Sequence, residues 1–116
     1  ENDAVLTNVE TWLRDVPDDH PADRALRVAR AAALSALGRH TEAAAAYAEL
    51  AAAPMDDADL FDLTVRQADS LRAAGQPAEA LRVLEALDAR RARGEIKAPP
   101  TSDLRTRLDV MRALAG

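Results

Sequence analysis

Apolar residues recur every three or four positions in six stretches of this chain, and prolines, glycines and aspartates stand between the stretches. Val5, Val9, Trp12 and Val16, with Leu6 and Leu13 beside them, predict a first helix from about Asp3 to Val16 with one broad apolar face, ended by Pro17. Asp18, Asp19, His20 and Pro21 read as a turn able to cap a second helix, from about Ala22 to Leu37, which stops at Gly38. Thr41 is the expected N-cap of a third helix running through Ala52. Its consecutive alanines Ala43, Ala44, Ala45 and Ala46 invite close packing around Tyr47 and Leu50, and Pro54 terminates it. Asp56, Asp57 and Asp59 are placed to cap a fourth helix and meet its dipole; it carries Leu60, Leu63 and Leu71 and ends at Gly75. Pro77 suits the first turn of a fifth helix with a Leu81, Leu84, Leu87 seam, closed by Gly94. Residues 94–100 lack periodicity and read as the one real loop, after which a sixth helix starts near Ser102 and carries Leu104, Leu108, Met111 and Leu114. The expected fold is all-α, with six helices and no strand.

The stretches are not independent of one another. Leu26 repeats as Leu63, Val28 as Val65, Leu34 as Leu71, Gly38 as Gly75, and Glu42-Ala43 as Glu79-Ala80, each 37 residues later. A fixed period in this range is the signature of stacked units, none of which can bury its apolar face alone.

Leu34, Gly38, Ala43, Tyr47, Leu50 and Pro54 in one unit, and Leu71, Gly75, Ala80, Leu84 and Leu87 in the next, resemble the tetratricopeptide repeat pattern. The resemblance implies a right-handed superhelical stack of antiparallel helical hairpins. It divides the chain into a half-unit helix at 1–17, full units at 22–54 and 57–93, and a capping or half-unit helix at 101–116. Shifted by 37, Leu6, Leu13 and Pro17 fall on Ala43, Leu50 and Pro54; at the other end Asp109, Met111 and Arg112 echo Asp69, Leu71 and Arg72. The chain departs from the family where Arg27, Arg30, Thr64 and Gln67 replace bulky apolar residues early in the first helix of each unit, with Leu26, Val28, Leu63 and Val65 next to them. The period of 37 in place of the usual 34 leaves open a relative with longer helical-hairpin repeats, or a plain helical bundle.

Composition narrows the function classes. A net charge of −5 over 116 residues, with both signs interspersed, argues against a general nucleic-acid binder. With no cysteine, there is no disulfide framework, thiolate metal site or cysteine nucleophile. No apolar run approaches a membrane span and no signal peptide is evident, so a cytoplasmic setting is expected, with the periplasm not excluded. Glu1 in place of methionine is expected of a processed protein or a piece of a longer one.

No catalytic constellation stands out. His20 and His40 lack convergent partners, and Ser35, Ser70 and Ser102 lack a nucleophile-elbow setting. Asp56, Asp57 and Asp59 lack the spacing and downstream glutamate of a calcium loop. Arg90, Arg91, Arg93 and Lys97 read as a solvated helix end suited to the dipole, or as a contact for an acidic partner or phosphate. No enzyme activity, cofactor, metal or small-molecule substrate is expected.

In tetratricopeptide-like stacks the first helix of each unit lines a concave groove. The resemblance places Val28, Ala32 and Ser35 on one smooth half of such a groove and Asp62, Arg66, Asp69 and Arg72 on a charged half, with Asp62, Arg66 and Asp69 pairing among themselves. The lysine and asparagine set with which chaperone-binding members hold a terminal carboxylate does not occur here. The expected function is a non-enzymatic interaction module that binds a partner peptide or helix. The alternatives are a structural segment of a longer solenoid, self-associating through terminal helices that expose Val5, Val9 and Trp12 at one end and Leu108 and Met111 at the other, or a regulatory domain of a larger transcription or signalling protein.

Overall fold

A computed structural model describes every residue except Glu1, Asp18, Asp19 and Thr101, and for Asn2 the backbone alone. Among the described residues there are six helices and no strand: α1 (Asn2–Asp15), α2 (Pro21–Ala36), α3 (His40–Ala51), α4 (Asp57–Ala73), α5 (Pro77–Ala92) and α6 (Leu104–Ala115). Each helix packs chiefly on its neighbours in sequence.

The repeated glycines explain why the chain turns back so abruptly. Gly38 and Gly75 take φ of 79° and 83°, the left-handed region that a side chain disfavours. Each closes a Schellman motif. Gly38 donates to the Ser35 carbonyl at 3.0 Å and Arg39 to the Leu34 carbonyl at 2.9 Å; Gly75 donates to Arg72 at 3.0 Å and Gln76 to Leu71 at 2.9 Å. Gly94 ends α5 in the same manner. Arg39 and Gln76 then act as N-caps of the next helices, their carbonyls accepting from Ala43 and Ala80.

Those turns correct the expected cap at Thr41. Because the Schellman closure already ends on Arg39, α3 begins at His40 and Thr41 lies exposed within its first turn. No side chain caps the first turn of α3; the Arg39 side chain instead clamps Glu42 at 2.7 Å, a hydrogen bond that holds the Glu42 carboxyl below its ordinary value. The turn before α2 is capped by His20, whose Nδ1 accepts from Ala22 at 3.0 Å, while the expected contributions of Asp18 and Asp19 lie outside the described residues. Asp56 caps α4 as expected, accepting from the Asp59 amide at 2.9 Å. Asp57 acts farther along the chain, where its carboxylate accepts from the Lys97 amide at 2.8 Å and ties down the segment between α5 and α6. That segment is no loose loop, since Ile96 is buried in the core.

Two cores form. Leu6, Leu34, Tyr47, Leu50 and Leu63 belong to one; Phe61, Leu84, Leu87, Ile96, Leu104, Leu108 and Met111 belong to the other. Helix α4 serves both. Phe61 and Ala68, seven residues apart, lie on one side, and Leu63 lies roughly 200° away from Phe61 on the other.

The end faces differ from expectation. Val9 is buried with Leu6, but Val5 and Trp12 sit roughly a quarter turn around α1 and are 48% and 55% exposed. At the other end Leu108 and Met111 are buried against the second core, and Val110 and Leu114 face outward.

Gly38→Ala is expected to lower stability by about 1–2 kcal/mol without loss of helicity, because a Cβ there meets no atom within 4 Å and only the left-handed backbone is penalised. Urea denaturation followed by circular dichroism measures this, and an unchanged midpoint contradicts it. Leu84 is fully buried, and Leu84→Ala is expected to remove about 2–5 kcal/mol in the same assay.

Candidate interaction face

Helices α2 and α4 lie with their N-terminal ends near one another. Arg24 Nη2 of α2 is 3.7 Å from Asp59 Oδ2 of α4 and donates to Met55 Sδ at 3.3 Å. Along this border the residues expected to form a groove collect into two shallow depressions. Val28 and Asp62, with Ala25 and Leu63, line one of about 480 Å³. Ser35, Arg66, Asp69 and Arg72 line the other, of about 320 Å³. Ala32 is half-buried and falls between them on the same side of α2, four residues after Val28 and three before Ser35.

The second depression draws on three helices. His40 and Tyr47 of α3 complete its wall, a contribution that a groove built only from α2 and α4 does not contain. Tyr47 is 3% exposed. Its hydroxyl, and secondly the Asp62 carboxylate, raise the pKa of the Arg66 guanidinium further above the ordinary arginine value. Arg66 Nε donates to Asp62 Oδ2 at 3.1 Å, the i,i+4 pair expected from spacing. His40 is half-buried, and its Nδ1 has no hydrogen-bond partner among the described residues.

Asp69 departs from expectation. It does not join Asp62 and Arg66 in one pairing network; both of its oxygens accept from Arg107 Nη1 of α6 at 2.8 Å. Arg107 Nε also donates to Asp103 at 2.9 Å, so one guanidinium braces α6 against α4. The partners are 38 residues apart, close to the repeat, and only that near-coincidence hints at the contact in the sequence. With Asp69 occupied, Arg72 is the exposed cation in this depression with no ion pair among the described residues.

The arginines along α2 have their own consequence. Between α2 and α3 a cleft of about 350 Å³ opens, bordered by Arg24, Arg27, Arg30 and Glu49 over the small Ala46 and Ala53. Arg27 is held by Asp23 at 2.9 Å and Arg30 by Glu10 at 3.4 Å. Polar heads facing alanine leave the seam partly open where two bulky apolar side chains would interlock.

The arginines at the end of α5 are engaged locally. Arg91 pairs with Asp88 at 2.9 Å, and Arg90 and Arg93 both reach Glu95. Among the described residues no group of three or more histidines, aspartates or glutamates is placed to hold a metal ion, and no helix is long and apolar enough to cross a membrane.

A double-mutant cycle on Asp69 and Arg107 is expected to give a favourable coupling of about 0.2–1 kcal/mol, since both side chains are about a third exposed or more. Urea melts of the two alanine variants and their combination measure it; a zero coupling removes the strut between α4 and α6. Comparison with family models, with curated proteins and with solved structures finds no match to the chain.

Proposed function

We propose that this chain is a non-enzymatic protein-interaction module. In this reading its helices form a tetratricopeptide-like, right-handed stack of hairpins, and a partner segment lies along the border of α2 and α4. Support for the stack comes from register. The Arg24–Asp59 contact joins α2 to α4 across 35 residues and Arg107–Asp69 joins α4 to α6 across 38, so equivalent helices neighbour one another at close to the repeat length. The radius of gyration of 14.8 Å exceeds the roughly 13.4 Å of a globular chain of this size, as an elongated stack requires.

The observation that carries the functional reading is the meeting of Ser35, Arg66 and Arg72 around one depression walled by Tyr47. Arg66 is pre-oriented by Asp62, and Arg72 brings a charge that no ion pair among the described residues takes up. Hydroxyl donors and two guanidinium groups suit an acidic side chain of a partner segment, with the smoother strip at Val28 and Ala32 receiving its apolar or small residues.

The test is a random-peptide display selection on the chain. Enrichment of acidic residues is expected among the bound peptides. The Arg66→Glu/Arg72→Glu double variant is expected to keep its helicity and to lose affinity for selected peptides by about 10–100-fold, the equivalent of one or two charge-assisted hydrogen bonds. Selected peptides that bind the double variant as well as the parent chain rule out this face.

A further inference from the structure

Arg72 is an exception in a chain that pairs such residues elsewhere. Glu79 with Arg82, Asp88 with Arg91 and Asp109 with Arg112 each set an acid three residues before an arginine on one helix. Each of these pairs is formed, at 2.6, 2.9 and 3.6 Å. Asp69 precedes Arg72 on α4 at the same spacing and in the same order, which suits the helix dipole. Yet both Asp69 oxygens accept from Arg107 Nη1 at 2.8 Å, and Arg72 is left exposed with no ion pair among the described residues. A residue of another helix withholds the pair that the local spacing favours.

The geometry gives this diversion a consequence. Asp69 stands between the two arginines of the depression, three residues after Arg66 and three before Arg72, about 60° of helix rotation from each. Arg66 is already held by Asp62 at 3.1 Å, so Arg72 is the cation that a released Asp69 carboxylate would reach. Arg107 does not itself line the depression. It meets Asp69 from α6, where its Nε is fixed by Asp103 at 2.9 Å. With a guanidinium at contact distance, the Asp69 charge is offset from the α6 side and neither takes up Arg72 nor stands bare before an incoming anion.

We infer that Arg107 is a positioning residue for the face between α2 and α4: by holding Asp69 toward α6, it keeps Arg72 open to an acidic group of a partner segment. The inference rests on the proposed reading of that face as a site for acidic segments. It makes the docking of α6 part of the site although α6 supplies no residue to the depression. The face carries its second available cation only while α6 is seated on α4. An acidic segment bound at Arg72 in turn favours the seated α6, since linkage acts in both directions.

The test uses an acidic peptide from the display selection, labelled with fluorescein and titrated with the whole chain. Arg107→Gln is expected to weaken binding by about 2–5-fold, the cost of breaking a helix ion pair and of one added like charge. Adding Asp69→Asn to Arg107→Gln is expected to restore the parent affinity. In an Arg72→Gln background, Arg107→Gln is expected to cost nothing further. Helicity by circular dichroism is expected to stay the same throughout, as the Arg107 and Asp69 side chains are 31% and 40% exposed. Rotation of the Arg72 guanidinium about its Nε–Cζ bond, read by side-chain nitrogen NMR without any peptide, is expected to slow in Arg107→Gln as the Asp69 pair forms. An Arg107→Gln variant that binds the peptide as well as the parent chain overturns the inference. Equal losses with and without Arg72 also overturn it, because they are the mark of net charge alone. An Arg72 guanidinium that rotates equally fast in both proteins overturns it whether or not acidic peptides bind. A parent chain that selects no acidic peptide refutes the reading of the face, a result on which the NMR measurement does not depend.

Discussion

The two-sided burial of α4 constrains everything around it. Phe61 and Ala68 are committed to the core shared with α5 and α6, and Leu63 to the core shared with α1, α2 and α3. A helix with two opposite sides occupied has only narrow strips left for solvent. At 100° per residue Asp62, Arg66 and Asp69 fall within about 60° of one another on such a strip, between the two buried sides. The charged half of the candidate face is therefore what remains of α4 after both cores are filled. Removing Phe61 or Leu63 disturbs one core and, through the tilt of α4, the strip that carries Arg66.

Much of this was legible in the residues because glycine and proline act locally. Gly38, Gly75 and Gly94 each mark a helix end, and the left-handed backbone they take is a property of the residue itself. Pro21 and Pro77 open helices because a missing amide does no harm at a first turn. What the sequence concealed is tertiary. Thr41 has the chemistry of a cap but stands two residues past Arg39, where the closing turn has already ended. Asp69 has two candidate partners by spacing, and a third from α6 takes it. Ile96 sits in a stretch without periodicity, so its burial depends on where Asp57 holds the Lys97 amide. For the candidate face, Val28, Ser35, Asp62 and Arg66, residues singled out through the resemblance, line the two depressions beside α2 and α4, while the share of His40 and Tyr47 follows from the approach of α3, which no single-helix pattern encodes.

The arginines of α2 show how a helix carries several charges beside a packed neighbour. Arg24, Arg27 and Arg30 stand on a side that a neighbouring helix covers only partly, and each finds a carboxylate on its own or an adjacent helix. Their aliphatic stems still cover apolar surface while the heads stay hydrated. The cleft they leave against Ala46 and Ala53 weakens one hairpin seam, and the tight turn at Gly38 compensates by keeping α2 and α3 close whatever the seam contributes.

That same turn has a mechanical consequence. Arg39 and Gln76 each finish one helix and start the next, so neither joint contains a spare residue to take up rotation. The chain lacks a hinge at these two points, so each hairpin behaves as a leaf spring; the longer connection at 52–56, between α3 and α4, is where the border between α2 and α4 can widen. Any change in the width of that border is therefore taken up between the two hairpins and not within either of them.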